Sequence, residues 1–270
     1  MLLRLARPYF TLISGRRMAL LGEDQVTRAA AALGDKSMSI NIGGMRAPYK
    51  CQREAFTEND LVAKEPFAQF AAWFDEARQT PGILETNAMC LATATKCGKP
   101  SARMVLLKGY GKDGFSFFTN YNSRKGQELA ENAQASLCFY WEPLKRQVRV
   151  EGYVEKLSEE VSTEYFHSRP QGSQIAACIS PQSQVIPGRH VLTEKDELMH
   201  EEYKDEDKVI PKPECWGGFR VVPEVIEFWQ GQTSRVHDRI CFRKLMTDEV
   251  IDESLTKPGE DGWVYERLAP

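Results

Sequence analysis

The sequence has little with which to build a metal site, a disulfide framework or a membrane span. Its seven cysteines are dispersed without a C-x-x-C pair, and its four histidines lack metal-ligand spacing to one another or to a cysteine. This pattern predicts reduced thiols in a cytoplasmic compartment and no metal. No run reaches the roughly 18 apolar residues of a membrane span, so no membrane association is expected. A formal net charge of -3 leaves no overall field to attract nucleic acid.

The first 44 residues differ in composition from the rest of the chain. Residues 1–22 hold four arginines, and no acid precedes Glu23. Such a stretch is typical of a mitochondrial transit peptide, which makes the mitochondrion the alternative to a cytoplasmic location; a flexible, weakly constrained leader is the other interpretation. Residues 34–44 have the glycine and serine content of a linker. We therefore expect a leader over residues 1–44 and a single domain over residues 45–270.

Short runs rich in β-branched and aromatic residues are separated by turn residues through most of the chain. They predict an α+β fold whose antiparallel sheet closes into a barrel surrounded by helices. Strands are predicted over residues 89–95, 102–108, 115–120, 136–141, 147–156, 225–230, 238–243 and 263–268. Helices are predicted over residues 60–80, 123–132, 158–168 and 191–204.

Residues 109–114, G-Y-G-K-D-G, match the dinucleotide-binding pattern G-x-G-x-x-G. That pattern has meaning only where a helix follows, because the helix N-terminus binds the pyrophosphate. Here the strand-like run F-S-F-F-T-N follows. The segment is therefore predicted to be a hairpin turn.

The segment W-Q-G-Q-T-S-R-V-H-D-R, residues 229–239, carries the strongest indication of a ligand. If the part after the turn is extended, Arg235, His237 and Arg239 share one face and Asp238 points away. Three basic groups about 7 Å apart repel one another unless an anion lies across them. The segment therefore predicts a receptor for an anionic, aromatic ligand, and a hairpin with solvated arginines is the alternative.

Two further clusters are of the kind that binds phosphate. Ser123 is a natural N-cap, and Arg124 and Lys125 then lie in the first helical turn, where positive charge is unfavourable unless an external anion binds there. Tyr165 and Arg169 share a helix face at i and i+4, close to Ser173. The alternatives are two solvated cations in the first case, and an arginine that binds its own helix C-terminus in the second. Arg103 and Lys108 end an apolar strand on opposite faces.

Together these motifs resemble the FMN-dependent pyridoxamine 5′-phosphate oxidase family. The resemblance covers roughly residues 45–270. It is carried, in the family's order, by R-M-V-L-L-K, F-F-T-N-x-x-S-R-K-G, F-Y-W-E-P-L-x-R-Q-V-R-V-E-G, Y-F-H-S-R-P, F-W-Q-G-Q-T-S-R-V-H-D-R and the terminal E-R-L-A-P. It implies a split β-barrel and a homodimer that binds FMN at the subunit interface, with a C-terminal dimerisation region. Residues 244–261 match no motif of the family.

The resemblance also implies a set of site residues. The implied FMN contacts are Arg103, Met104, Val105, Leu106, Lys108, Phe118, Thr119, Arg124, Lys125, Gln147, Gln182, Ser183, Trp229 and Arg239. The implied substrate contacts are Lys108, Tyr165, Arg169 and Ser173 around a phosphate, with Arg235 and His237 over a pyridine ring as the catalytic pair. Arg46 and Tyr49 match a mobile lid more weakly.

The implied reaction is the oxidation of pyridoxine or pyridoxamine 5′-phosphate to pyridoxal 5′-phosphate. Oxygen is the acceptor and yields hydrogen peroxide, and the amine substrate also releases ammonia. Because the cofactor carries the difficult chemistry, the residues are expected to bind and orient. A non-catalytic binder of FMN or pyridoxal phosphate and a nicotinamide-dependent flavin reductase are the alternatives.

Overall fold

The computed structural model describes residues 42, 44, 45, 47–205 and 207–270. Arg46 of the predicted lid and nearly all of the predicted leader lie outside the described residues, so both predictions stay predictions. The boundary of the single domain also stays a prediction. Residues Pro48–Pro270 form one compact unit. No helix among the described residues is long and apolar enough to cross a membrane.

Ten antiparallel strands and five flanking helices make up this unit, which confirms the predicted α+β class. The strands are β1 (Ala88–Ala94), β2 (Pro100–Leu106), β3 (Gly109–Gly111), β4 (Gly114–Asn120), β5 (Gln134–Trp141), β6 (Arg146–Lys156), β7 (Trp216–Gln230), β8 (Asp238–Lys244), β9 (Thr256–Pro258) and β10 (Trp263–Arg267). The helices are α1 (Pro66–Gln79), α2 (Arg124–Glu131), α3 (Glu159–Ser168), α4 (Gln171–Ile179) and α5 (His190–Glu202). The predicted hairpin at 109–114 is confirmed as the β3–β4 connection.

Strand β7 is long enough to pair with strands in both halves of the sheet. Along one edge it pairs with β6, while along the other its first half pairs with β4 and its second half with β8. The change occurs where the β6–β7 register shifts between Glu151 and Gly152, opposite Pro223. The sheet therefore branches at this irregularity, with β4 on one side of it and β8 on the other.

The sheet is open, so the expectation that it closes into a barrel is wrong, whereas the predicted split barrel is confirmed. In the part of the chain that the structure describes, the order runs β2-β1-β5-β6-β7-β8-β10-β9, and β3 and β4 branch from β7. The chain between β2 and β3 bonds irregularly instead of continuing the ladder, since the amide of Leu107 donates to Asn87 and that of Lys108 donates to Ser116.

Helix α1 supplies much of the core. It begins at Pro66 and not at residue 60, because the side chain of Glu65 caps the amides of Phe67 and Ala68 and proline favours the first helical position. The ring of Phe70 lies 5.0 Å from that of Phe115 and 5.2 Å from that of Phe139. Burying such aromatic side chains stabilises the fold by about 1.5–3 kcal/mol each. The helix therefore fixes the strands that carry the site.

Candidate functional site

The main cavity, of about 890 Å³, lies between the face of β2, the end of β4 and the helices α2 and α4. Twelve of the predicted site residues line it: Arg103, Met104, Val105, Leu106, Lys108, Phe118, Thr119, Lys125, Tyr165, Arg169, Ser173 and Gln182. The structure therefore brings residues of the sequence clusters at 103–108, 118–125 and 165–173 together around one cavity. A cavity of this size accommodates a cofactor-sized ligand.

Helix α2 presents its N-terminus to this cavity. Ser123 is the N-cap, as predicted, and its hydroxyl accepts a hydrogen bond from the amide of Gly126. The Nζ atom of Lys125 is buried and lies 2.9 Å from Oε1 of Gln182. Burial, with a smaller contribution from the charge of Arg103, lowers the pKa of Lys125 to about 8. Lys125 forms no ion pair with a carboxylate among the described residues, so this end of the cavity favours an anion.

Arg103 and Arg124, in contrast, already have an acidic partner. Glu128 is buried, lies 3.4 Å from Nη2 of Arg103 and accepts a 2.9 Å hydrogen bond from Nε of Arg124. Burial opposes ionisation of Glu128, yet hydrogen bonds from Ser101, Thr93 and Arg124 lower its pKa to about 2. Only Arg103 of the two lines the cavity, where its guanidinium can direct hydrogen bonds at a ligand, and one carboxylate shared by two arginines leaves one net positive charge.

The opposite wall of the cavity combines aromatic rings with a second, half-buried cation. The ring of Tyr165 stacks on that of Phe118 at 4.0 Å, and the guanidinium of Arg169 lies 4.7 Å from the ring of Trp216. Nη1 of Arg169 is buried without a hydrogen-bond partner, and burial lowers the pKa of this guanidinium. Nζ of Lys108 lies 6.0 Å from the ring of Tyr165. This wall therefore offers cationic donors that an anionic group would satisfy.

In the alternative interpretation the side chain of Arg169 binds the C-terminus of its own helix. The structure shows no such hydrogen bond among the residues it describes. Arg169 is the C-cap of α3, in an extended conformation with ψ of 150°, because Pro170 follows. The chain then turns into α4, which was not predicted because Pro170 and Gly172 are typical of a loop. The residue Ser173 lies in the first turn of α4 and faces the same cavity.

The remaining predicted residues form a second group away from the cavity lining. Arg235, His237 and Arg239 do not share a strand face, so that expectation is wrong. β8 begins only at Asp238, and Arg235 lies in a turn with a left-handed φ of 69°. The rings of Trp229 and His237 lie 4.9 Å apart, and the guanidinium of Arg235 lies 5.6 Å from the ring of Tyr49.

Arg239 is a paired cation within its own chain. Its Nε and Nη2 atoms donate to the buried carboxylate of Glu227 at 2.8 and 3.1 Å, and its Nη1 donates to the carbonyl of Ala269 at 2.7 Å. The pairing of β6, β7 and β8 places Gln147 opposite Trp229 and Trp229 opposite Arg239. This row supplies hydrogen-bond donors and an aromatic surface. It lies in a different part of the sheet from the residues that line the cavity.

Three residues important to this geometry were missed in the sequence: Trp216, Glu128 and Glu227. Glu128 follows Arg124 at i+4, a spacing that indicates an ion pair on one helix face. No comparable signal existed for Trp216 or Glu227, because their contacts depend on strand register. Ser183 has a left-handed φ of 72° and lies next to Gln182, outside the cavity lining.

Comparison with known proteins connects this geometry to a family. A family model described as pyridoxamine 5′-phosphate oxidase matches residues 75–197, and one described as the pyridoxine 5′-phosphate oxidase C-terminal dimerisation region matches residues 216–270. Pyridoxine-5′-phosphate oxidase of Bos taurus is 56% identical over 244 residues, which cover 90% of this chain and 93% of that protein. Pyridoxine/pyridoxamine 5′-phosphate oxidase of Bombyx mori is 56% identical over 235 residues, which cover 87% and 91%.

Solved structures share the split-barrel architecture. PhzG of Burkholderia lata superposes with a TM-score of 0.66 at 26% identity, over 80% of this chain and 97% of that one. A pyridoxamine 5′-phosphate oxidase-related, FMN-binding protein of Nostoc punctiforme has a TM-score of 0.56 at 14% identity, over 76% and 98%, and supports the fold alone. From the two family models and the two highly identical relatives, the chain belongs to the pyridoxamine 5′-phosphate oxidase family.

Proposed function

We propose that this chain oxidises pyridoxine 5′-phosphate and pyridoxamine 5′-phosphate to pyridoxal 5′-phosphate. Oxygen is the acceptor, hydrogen peroxide is formed, and the amine substrate also yields ammonia. The observation that carries the proposal is a pair of cations in one cavity, the buried Lys125 and the half-buried Arg169, which have no carboxylate partner among the described residues. Two separate phosphates, one from a cofactor and one from a substrate, account for both cations.

FMN fits the end of the cavity formed by α2. Lys125 and the capped N-terminus of α2 would hold its phosphate, and Arg103, fixed by Glu128, would donate hydrogen bonds. When bound, FMN supplies the two-electron acceptor for the oxidation. The residues of the chain bind and orient the reactants and exclude water from them.

The substrate phosphate is assigned to the opposite wall, where Lys108, Tyr165, Arg169 and Ser173 line the cavity. Nη1 of Arg169 has an unused donor there. Arg235 and His237 would lie over the substrate ring, where they orient it and balance the charge that develops during oxidation. In this assignment Trp229, Gln147 and Arg239 complete the cofactor site.

A homodimer with a shared site is part of the proposal. The predicted residues fall into two groups, of which only the first lines the cavity of the chain. Residues 216–270, which match the dimerisation region, carry Trp229, Arg235, His237 and Arg239 of the second group. Two copies related by a two-fold axis would bring the second group of each to the cavity of the other. FMN would then lie at the subunit interface.

An oxygen-consumption assay with pyridoxine 5′-phosphate and added FMN tests the function. We expect uptake of oxygen with equal formation of hydrogen peroxide, and a loss of about 100-fold in kcat/KM for Arg169→Ala. Binding of FMN without oxygen uptake would favour a non-catalytic binder, and FMN reduction that requires a nicotinamide would favour a reductase. Failure to bind FMN at all would reject the proposal.

A further inference from the structure

The ring of His237 accepts a hydrogen bond from the backbone. The amide nitrogen of Gln232 donates to Nδ1 of His237 at 2.9 Å. Because a backbone N–H can only donate, Nδ1 must carry its lone pair, and the proton of the neutral ring then resides on Nε2. We infer that His237 serves the proposed active site as a neutral hydrogen-bond donor through Nε2 and not as a base, an inference that rests on the proposed function.

The amide of Gln232 has little freedom to move away from this bond. The turn that carries it is tied to the chain preceding α1, since Thr233 donates through its amide to the carbonyl of Lys50 at 2.9 Å and through its hydroxyl to that of Tyr49 at 2.8 Å. The amide of Gly231 donates to the carbonyl of Lys145 at 2.8 Å. The donor that selects the tautomer is thus fixed by neighbours on both sides.

Aromatic neighbours hold the plane of the imidazole. Its centroid lies 4.9 Å from that of Trp229 and 5.8 Å from that of Tyr49, which meets it edge-on at 73°. Rotation of the ring by half a turn about its bond to Cβ would replace Nδ1 by a carbon atom. That rotation would leave the Gln232 amide without its acceptor, at a cost typical of an unsatisfied buried donor.

The charged groups around the ring also favour the neutral form. Burial, followed by the charge of Arg235, lowers the pKa of His237, and Asp238 acts in the opposite direction. The carboxylate of Asp238 is already engaged, since it accepts hydrogen bonds from the amide of Phe56, from Nε2 of Gln232 and from Nη1 of Arg267. A second proton on the ring would require Nδ1 to give up the Gln232 amide.

The consequence for catalysis is chemical. A ring whose Nδ1 lone pair is occupied and whose Nε2 carries hydrogen has no free lone pair, so it cannot remove a proton from the substrate. It can donate to an oxygen atom of the substrate, either on the phosphate or in the hydroxyl group attached to the pyridine ring. His237 therefore binds and polarises an oxygen acceptor.

Nitrogen-15 spectra of the FMN-loaded, full-length protein labelled at histidine test the tautomer directly. The chain has only four histidines, and comparison with His237→Gln assigns the signal. We expect Nε2 protonated and Nδ1 unprotonated at pH 7, with titration below the usual pKa of about 6.5. A signal from Nδ1–H, or from a doubly protonated ring at pH 7, would overturn the inference. This result does not depend on turnover, so it remains informative if the protein proves not to be an oxidase.

Two substitutions test the role in the reaction. In His237→Asn the amide oxygen can still accept from Gln232, but the donor at the Nε2 position is lost, and we expect KM for pyridoxine 5′-phosphate to rise about tenfold or more. In His237→Gln the longer side chain returns an N–H to that position and should restore most of the affinity. Weaker competitive inhibition of His237→Asn by inorganic phosphate would identify the phosphate as the acceptor. Unchanged inhibition would identify the hydroxyl oxygen attached to the pyridine ring. Equal loss of kcat in both variants, with KM unchanged, would instead indicate a base and refute the donor role.

Discussion

Arg235 shows how far the role of one residue depends on its backbone. It lies in the turn before β8 with a left-handed φ of 69°, and its guanidinium forms no ion pair among the described residues. We expect Arg235→Leu to reduce kcat/KM by about 100-fold, because the proposed site would lose a cation over the substrate ring, while FMN is retained. Leucine has the same unbranched Cβ, so the strain of the turn is unchanged. Steady-state kinetics and flavin content measure the two effects, and wild-type kinetics would refute the assignment.

Lys125 gives the cofactor site a predictable pH dependence. Its pKa is lowered to about 8, and a bound phosphate raises it again, so FMN binding takes up a proton above that pH. We expect FMN affinity to fall as the pH rises through about 8. Lys125→Ala should weaken binding by about ten- to a hundredfold at neutral pH and abolish this dependence. Quenching of flavin fluorescence gives the dissociation constants.

The matched control for this prediction is Lys125→Arg, which stays charged across the same pH range. It should keep most of the affinity and show no fall near pH 8. An unchanged flavin dissociation constant in Lys125→Ala would count against the phosphate site at the N-terminus of α2.

At the level of elements, the sequence predicted best where local pattern and tertiary structure agree. Strands β1, β4 and β5 were predicted to within two residues at either end. The first half of β7 was missed, because the run W-G-G-F-R-V-V-P contains two glycines and a proline, which weaken strands. In the structure a Cβ at Gly217 would lie 2.0 Å from the hydroxyl of Tyr121, a close contact that no local pattern reveals.

The same limit applies to the site. The motifs at 103–108, 118–125 and 165–173 indicated segments that line one cavity, but the division into two groups depends on the register of β6, β7 and β8 and could not be predicted from spacing. Residues 244–261 match no motif of the family, yet within this segment Thr256–Pro258 pairs with β10. Arg243 explains part of this order, since it binds both Glu249 and Glu266.

Gly152 provides a test of the irregularity that splits the sheet. A Cβ at this position would lie 2.0 Å from the carbonyl oxygen of Val222, and only backbone movement could relieve that contact. We expect Gly152→Ala to lower the free energy of unfolding by about 1–3 kcal/mol. Gly172→Ala is the control, because nothing lies within 4 Å of its Cβ and alanine favours the helix α4. Denaturation at fixed protein and FMN concentrations compares them, and equal stability of the two variants would show that the sheet tolerates movement at the split.

At the level of the whole molecule, the separation of the two residue groups has a consequence for mixed dimers. Arg169→Ala damages the cavity, and Arg235→Leu damages the turn, so each homodimer should be nearly inactive. If each site takes its cavity from one subunit and its turn from the other, a mixed dimer contains one site with both defects and one intact site. Co-expression that gives random pairing should therefore restore about a quarter of wild-type activity.

The matched control combines Arg169→Ala with Lys125→Ala, both of which lie in the cavity. Each site of that mixed dimer keeps one defect, so activity should stay near that of the homodimers. Separation of the mixed dimers by two different affinity tags, followed by oxygen-consumption assays, measures the recovery, which should be about half of wild-type activity in purified Arg169→Ala and Arg235→Leu dimers because one of two sites is intact. If the Arg169→Ala and Arg235→Leu pair fails to regain activity although mixed dimers form, both groups act within one subunit. The second group would then need to reach the cavity of its own chain, and the interface would serve stability alone.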